Sequence, residues 1–196
     1  MEDLVYLDNA ATTFPKPECV YTTMDKFTRT NGVSLGRGQH ILSAKASSIA
    51  DETRELLLQL FHCSNKKVVF TNTATEALNI ILKGINISNG VNIYISPFEH
   101  NAVTRTLHYL LQKDDFNIIE LNADKKTFTL DADKIKAQFE KNPPFAVIVS
   151  HVSNVIGSVA PIEQIFSLAK KYGAITIADM CQSAGLIDTD ISSSIY

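Results

Sequence analysis

Five short apolar runs, separated by longer amphipathic stretches, constrain this chain more than any other feature. The runs are Lys67 to Thr71, Asn92 to Ser96, Asn117 to Leu121, Ala146 to His151 and Ala174 to Asp179. Their apolar residues are continuous rather than alternating, as in strands covered on both faces. The stretches between them read as helices near 74–85, 100–113, 131–141 and 161–172. Pro161 suits a first helical position and Gly173 a helix stop. Asp131 suits a cap for the third of these helices, and Pro143-Pro144 ends it. Strands that alternate with helices in this way predict an α/β fold, a mostly parallel sheet with helices on both faces.

The first 65 residues follow another pattern and read as an N-terminal loop-and-helix segment, 1–65, ahead of a sheet domain, 66–196. Tyr6-Leu7-Asp8-Asn9-Ala10-Ala11-Thr12-Thr13 is a short apolar run that breaks into a loop of small and polar residues. A helix is expected after Pro17, and Gly32 to Gly38 is a glycine-bearing loop. Ser43 is a candidate cap for a long helix reaching Phe61, with Ala46, Ile49, Ala50, Thr53, Leu57 and Leu60 along one stripe. No internal repeat or low-complexity tract is present.

Composition narrows the function classes. Of the 196 residues, 45% are hydrophobic and 20% charged, which supports a substantial core and argues against disorder. A formal net charge of -3, with no clustered Lys/Arg face visible, leaves no footprint for nucleic acid. The three cysteines, Cys19, Cys63 and Cys181, lack metal-ligand spacing and read as reduced thiols. The start lacks a basic n-region and an apolar h-region, and no apolar stretch reaches spanning length. The expectation is a soluble, cytoplasmic protein with no membrane and no metal.

The chemistry-bearing residues cluster where strands end. Asp179 closes the fifth run, with Gln182 three residues on. A carboxylate at the carboxyl end of a parallel strand lies where open α/β sheets bind ligands. Burying it is costly unless a cation meets it, and the alternative is that it caps a turn at Met180. Thr73 and Glu76 have capping-box spacing around Ala74 and Thr75, and such a helix start suits a phosphate, although most capping boxes hold only their own helix. His100 follows the second run and offers a flat ring to stack on an aromatic ligand, or a local hydrogen bond at a helix start. Asn154 follows the fourth run and offers both a donor and an acceptor, or ordinary turn chemistry before Gly157. A parallel sheet brings all these exits to one edge. A phosphate cradle, a stacking ring, an amide and a carboxylate facing a protonated pyridine nitrogen together match pyridoxal 5′-phosphate (PLP).

With these motifs in hand, the chain resembles the class V aminotransferase family, and within it the cysteine desulfurases. The matching stretches are Tyr6 to Thr12, Gly36-Arg37-Gly38, Ala74-Thr75-Glu76-Ala77, Glu99-His100-Asn101-Ala102, Ser153 to Gly157 and Asp179 to Gly185. They occur in family order and cover nearly the whole chain. The resemblance implies the large domain of a fold type I PLP-dependent transferase, incomplete at its C-terminus and without the small domain. It implies that Ala74 and Thr75 hold the PLP phosphate and that His100 stacks on the ring. Asp179 would pair with the ring nitrogen. Asn154 and Gln182 would lie near the ring hydroxyl, and Asn9 and Ala10 beside the substrate. It further implies L-cysteine as substrate, a sulfur-acceptor protein, a homodimer, and a place in sulfur metabolism and iron–sulfur cluster assembly.

One departure stands out. The family's Schiff-base lysine follows the Asp by about 25 residues in a His-Lys setting, serving the cofactor logic of an internal lysine. Seventeen residues follow Asp179 here and none is a lysine. The catalytic cysteine and the carboxylate-binding arginine would come later still. Cys181 reads instead as a packed thiol near the cofactor. Lys83, Lys170 and Lys171 lie on helices away from the strand exits. The expectation is therefore part of a desulfurase-like enzyme, inactive alone. The alternative is a non-catalytic module that pairs with a partner or a homologue. A nucleotide-binding Rossmann domain is disfavoured, because Thr71-Asn72-Thr73-Ala74-Thr75 contains no glycine.

Overall fold

The computed structural model describes residues 5–196, which divide into two compact units, one ending at Val68 and the other Val69–Tyr196. The first contains α1 (Glu18–Asn31) and α2 (Ile41–Leu60), packed on each other. His40, rather than Ser43, caps α2: its Nδ1 accepts from the Ser43 backbone N–H at 3.2 Å. Ser43 falls in the first turn, where its hydroxyl is buried and donates to the Ser34 carbonyl. Along the expected stripe of α2, Ala46 is buried, whereas Ile49, Thr53 and Leu60 are exposed.

The second unit is built on four strands, β1 (Val91–Ile95), β2 (Phe116–Glu120), β3 (Pro144–Ser150) and β4 (Ile175–Asp179). Its helices are α3 (Ala74–Gly84), α4 (Asn101–Leu110), α5 (Ala132–Lys141) and α6 (Ile162–Lys170). The expected strand at 67–71 is absent. Val69 and Phe70 are 80% and 48% exposed, and among the described residues no strand runs beside them to bond their backbone groups. An apolar, β-branched run becomes a strand only when a neighbour takes its ladder.

The strands are parallel in the order β2-β1-β3-β4. Alternate residues of each strand enter two separate cores, as the two-residue period of a strand requires. Ile93, Ile95, Ala146 and Ile148 pack with Leu78 and Leu82 of α3 and Val103 and Leu107 of α4. Tyr94, Val147 and Val149 pack on the other face with Ile135 and Phe139 of α5 and Ile165, Phe166 and Ala169 of α6. The sheet is thus covered on both faces, as the continuous apolar runs predict. Right-handed crossovers explain the division: the step from β1 to β2 moves one way along the sheet, and the two later steps move the other way.

Local punctuation largely follows the sequence. Asp131 caps α5 by accepting from the Lys134 N–H, and Gly173 takes the positive φ, +71°, that ends the turn after α6. Pro161 is the cap residue of α6 rather than its first helical residue, with Ile162 following.

Candidate functional site

The reversal of winding direction makes the β1/β3 pair the switch point of this sheet. Ligands of open α/β sheets settle in the crevice outside the carboxyl ends of such a pair. The chain leaving β1 there carries Ser96, Glu99 and His100. The chain ending β3 carries Ser150 and His151, and β4 ends beside it at Asp179.

Glu99 joins the two sides of the crevice. It is half-buried, and its Oε1 accepts from the Ser96 hydroxyl and, at 2.7 Å, from the Ser150 backbone N–H. Its Oε2 accepts from the Ser150 hydroxyl at 2.8 Å. Burial raises this carboxyl above the usual range; the three hydrogen bonds oppose that, and the nearby charge of Asp179 adds to it. Sequence reasoning gave Glu99 no role. The only hint was its place directly before His100 in a motif between strand and helix.

Asp179 is half-buried at the end of β4 and lies opposite Ser150 in the ladder. Its carbonyl accepts from the His151 N–H at 2.9 Å. Its Oδ1 accepts from the Cys181 N–H at 3.0 Å, so the turn-capping alternative is realised. Cys181 is exposed as a residue, yet its sulfur is partly desolvated beside Asp179. Desolvation of its sulfur, then the hydrogen bond and charge of Asp179, push its thiol up to about 12.

His100 is exposed and caps α4, its Nδ1 accepting from the Ala102 N–H at 3.1 Å. Its local hydrogen bond is therefore real, and it fixes the ring at the helix start. Thr73 caps α3, accepting from the Glu76 N–H at 3.1 Å, while Glu76 returns to the Asn72 N–H at 2.9 Å rather than to Thr73. Ala74 and Thr75 are the first residues of α3, both exposed. Although no strand precedes α3, Thr75 and His100 line one open groove of about 530 Å³ together with Asn79, Lys83, Arg105 and Tyr109. Lys83 thus reaches the seam that starts at Thr75 and His100. Lys83 and Lys113 both approach the Tyr109 ring, at 5.6 and 4.6 Å, forming a local cation cluster that the sequence did not reveal.

Asn154 lies exposed in the turn after β3, which Ser153 organises by accepting from the Val155 N–H at 3.3 Å. Gln182 is half-buried in the turn after Asp179. Asn9 and Ala10 belong to the other unit. There Asn9 accepts from the Phe14 N–H at 3.1 Å and Ala10 occupies an exposed turn. The sheet edge therefore collects His100, Asp179, Asn154 and Gln182, with Thr75 joined to His100 by the groove. Among the described residues there is no cluster of His, Cys, Asp or Glu fit for a metal, and no helix long and apolar enough to cross a membrane. Chemically, this edge offers open helix starts for an anion, an imidazole for a flat ring and a carboxylate for a cation.

Comparisons with known proteins agree with this architecture. The sequence model described as Aminotransferase class-V matches residues 5–194. A probable cysteine desulfurase of Halalkalibacterium halodurans is 32% identical over 96% of this chain and 47% of its own length. The cysteine desulfurase IscS of Dictyoglomus turgidum is 30% identical over 97% of this chain and 48% of its own. Among solved structures, the apo cysteine desulfurase of Thermococcus onnurineus NA1 superposes with a TM-score of 0.88 at 27% identity, covering 97% of this chain and 47% of that one. A structure of SspA in complex with cysteine gives a TM-score of 0.83 at 26% identity, covering 95% and 53%. The chain spans about half the length of the curated relatives it matches. A match running through both units and every strand exit leaves one conclusion: the chain belongs to the class V aminotransferase family.

Proposed function

We infer that this chain supplies the cofactor cradle of a PLP-dependent cysteine desulfurase, which converts L-cysteine to L-alanine and passes sulfur to an enzyme cysteine. One observation carries this reading: the exits of β1 and β4, with His100 and Asp179, flank the end of β3 at a switch point and are linked through Glu99 and Ser150. The names of the relatives supply the reaction.

The donor set fits the cofactor. The start of α3 at Ala74 and Thr75 offers N–H groups and a hydroxyl to a phosphate. His100, held by its own helix, presents a ring to a pyridine face, and the Asp179 carboxylate suits the protonated ring nitrogen. Asn154 and Gln182 would contact the ring hydroxyl. When bound, PLP supplies an electron sink for bonds at the substrate α-carbon. No lysine follows Asp179 in this sequence, so the chain by itself is expected to bind the cofactor without turnover. In the complete enzyme we expect a homodimer in the cytoplasm that delivers sulfur to an acceptor protein for iron–sulfur cluster assembly.

Titration of the purified chain with PLP tests this. Binding is expected, weakened about tenfold or more, roughly 1.4 kcal/mol, by Asp179→Ala and by Thr75→Val. Absence of binding by the unsubstituted chain would refute the cradle, and release of alanine from cysteine would refute the expected lack of turnover.

A non-catalytic module paired with a partner or homologue is the second reading. It is favoured by exposed apolar side chains on the second unit, Val69, Val155 and Leu186, each at least 80% exposed. Stable co-purification with a full-length relative, with no PLP bound, would select it.

A further inference from the structure

We propose that Glu99 is the positioning residue of this site, a clasp that fastens the His100-bearing exit of β1 to the end of β3 beside Asp179; the proposal rests on the cofactor reading for its purpose but not for its geometry. Glu99 is neither on a strand nor on a helix. It sits in the link between Ile95 and Asn101, a segment that leaves the sheet before α4 begins. Such links are mobile unless something ties them down.

The tie here crosses the sheet. Both carboxyl oxygens reach Ser150, at 2.7 Å to its N–H and 2.8 Å to its hydroxyl, and one also takes the Ser96 hydroxyl. The Ser150 N–H faces the β1 side of β3; in the ladder on the other side Ser150 lies opposite Asp179, and the next N–H, that of His151, donates to the Asp179 carbonyl. One side chain thereby fixes the separation of two strand exits. His100 follows Glu99 directly and is itself locked to Ala102 at 3.1 Å, so the clasp determines where the imidazole stands relative to the end of β4. A carboxylate suits this task because its two oxygens serve several donors at once. Asp179 lies close enough for its charge to be felt at Glu99, which is consistent with both carboxyls facing one crevice. Glu99 needs no contact with the cofactor; it acts through His100 and the β3 end.

Substitution separates a positioning role from a charge requirement. Gln keeps the length, accepts from Ser96 and Ser150 N–H, and donates to a Ser150 hydroxyl that rotates to accept. Ala removes every bond. Hydrogen exchange in the cofactor-free chain is the first measurement. In Glu99→Ala the amides of Ser150 and Ala102 are expected to exchange at least tenfold faster, with Tyr94 and Val147 in mid-strand unchanged, and in Glu99→Gln all four stay within threefold of the parent. The affinity for PLP is the second, expected to fall at least tenfold in Glu99→Ala and to be restored within threefold in Glu99→Gln. Ser150→Ala, which removes one bond only, provides a milder variant if Glu99→Ala fails to fold, and it should raise exchange at Ala102 by a smaller factor.

Unchanged exchange at Ser150 and Ala102 in the Ala variants overturns the clasp. A Gln variant as impaired as Ala overturns it as well, because charge rather than placement would then matter. If the parent chain binds no PLP, the cofactor reading falls, and the exchange measurement still decides the clasp.

Discussion

The carboxylate of Glu99 takes two hydrogen bonds from Ser150, at 2.7 Å from the backbone N–H and 2.8 Å from the hydroxyl, and so joins two strand exits 51 residues apart in sequence. That contact places the residues with functional promise on one short stretch of sheet edge. The residues around it lead to further predictions.

Asp179 adds to the desolvation that raises the thiol of its neighbour Cys181. The thiol is pushed to about 12 first by desolvation and then by Asp179. In a Cys19→Ser background, which removes the other exposed thiol, Asp179→Asn should lower the Cys181 value while leaving it above the ordinary 9.0, since desolvation remains. The rate of alkylation against pH measures this. An unchanged profile would mean that Asp179 does not act on the thiol.

His151 makes the fold sensitive to acid. It is buried, its Nδ1 has no hydrogen-bond partner, and desolvation lowers it from 6.5, with Glu163 opposing. Below 6.5 the unfolded chain gains a proton that the folded chain does not take. Stability is therefore lost as pH falls from 6.5 toward the depressed folded-state value and is unaffected above it. Melting temperatures from neutral pH to about pH 5 should show this slope, flattened in His151→Leu. Glu99 contributes with the opposite sign, because its raised value adds stability at low pH that is lost as pH rises through it. Comparison of His151→Leu with its parent isolates the histidine.

Thr73 anchors α3 through the N–H of Glu76. Thr73→Ala should cost about 1 kcal/mol in denaturant unfolding. It should also weaken PLP binding more than Thr28→Ala on exposed α1, because only Thr73 sets the start of the helix that carries Thr75.

Phe139 fills the core between α5 and the sheet. It is fully buried and meets the Tyr94 ring edge-on at 4.9 Å. Phe139→Ala should destabilise the second unit by about 3–5 kcal/mol. Loss of less than about 1 kcal/mol would show that the cavity collapses or that this face is loosely packed.

Much of this was readable from the chain alone, and the exceptions share a cause. The helices over 74–84 and 132–141 were legible because their caps, Thr73 and Asp131, act within three residues. The strand predicted at 67–71 failed because a strand exists only through a neighbouring strand, and among the described residues the sheet places none beside this run. His40 took the cap expected of Ser43, since imidazole accepts as well as a hydroxyl does and the loop geometry chose between them. Cys181 reads as packed from its place inside the Asp-Gln motif, yet the residue is exposed and only its sulfur is partly desolvated beside Asp179.

The amino-acid order by itself determined the α/β pattern, the parallel sheet and which residues leave its strands, because apolar period, caps and strand exits depend on residues close together in sequence. Tertiary structure alone decided that Glu99 meets Ser150, that Lys83 and Arg105 share a groove with His100, and that His151 is buried without a partner for Nδ1. These depend on strand order and crossover hand, which bring distant segments together, and no local spacing encodes the distance between them.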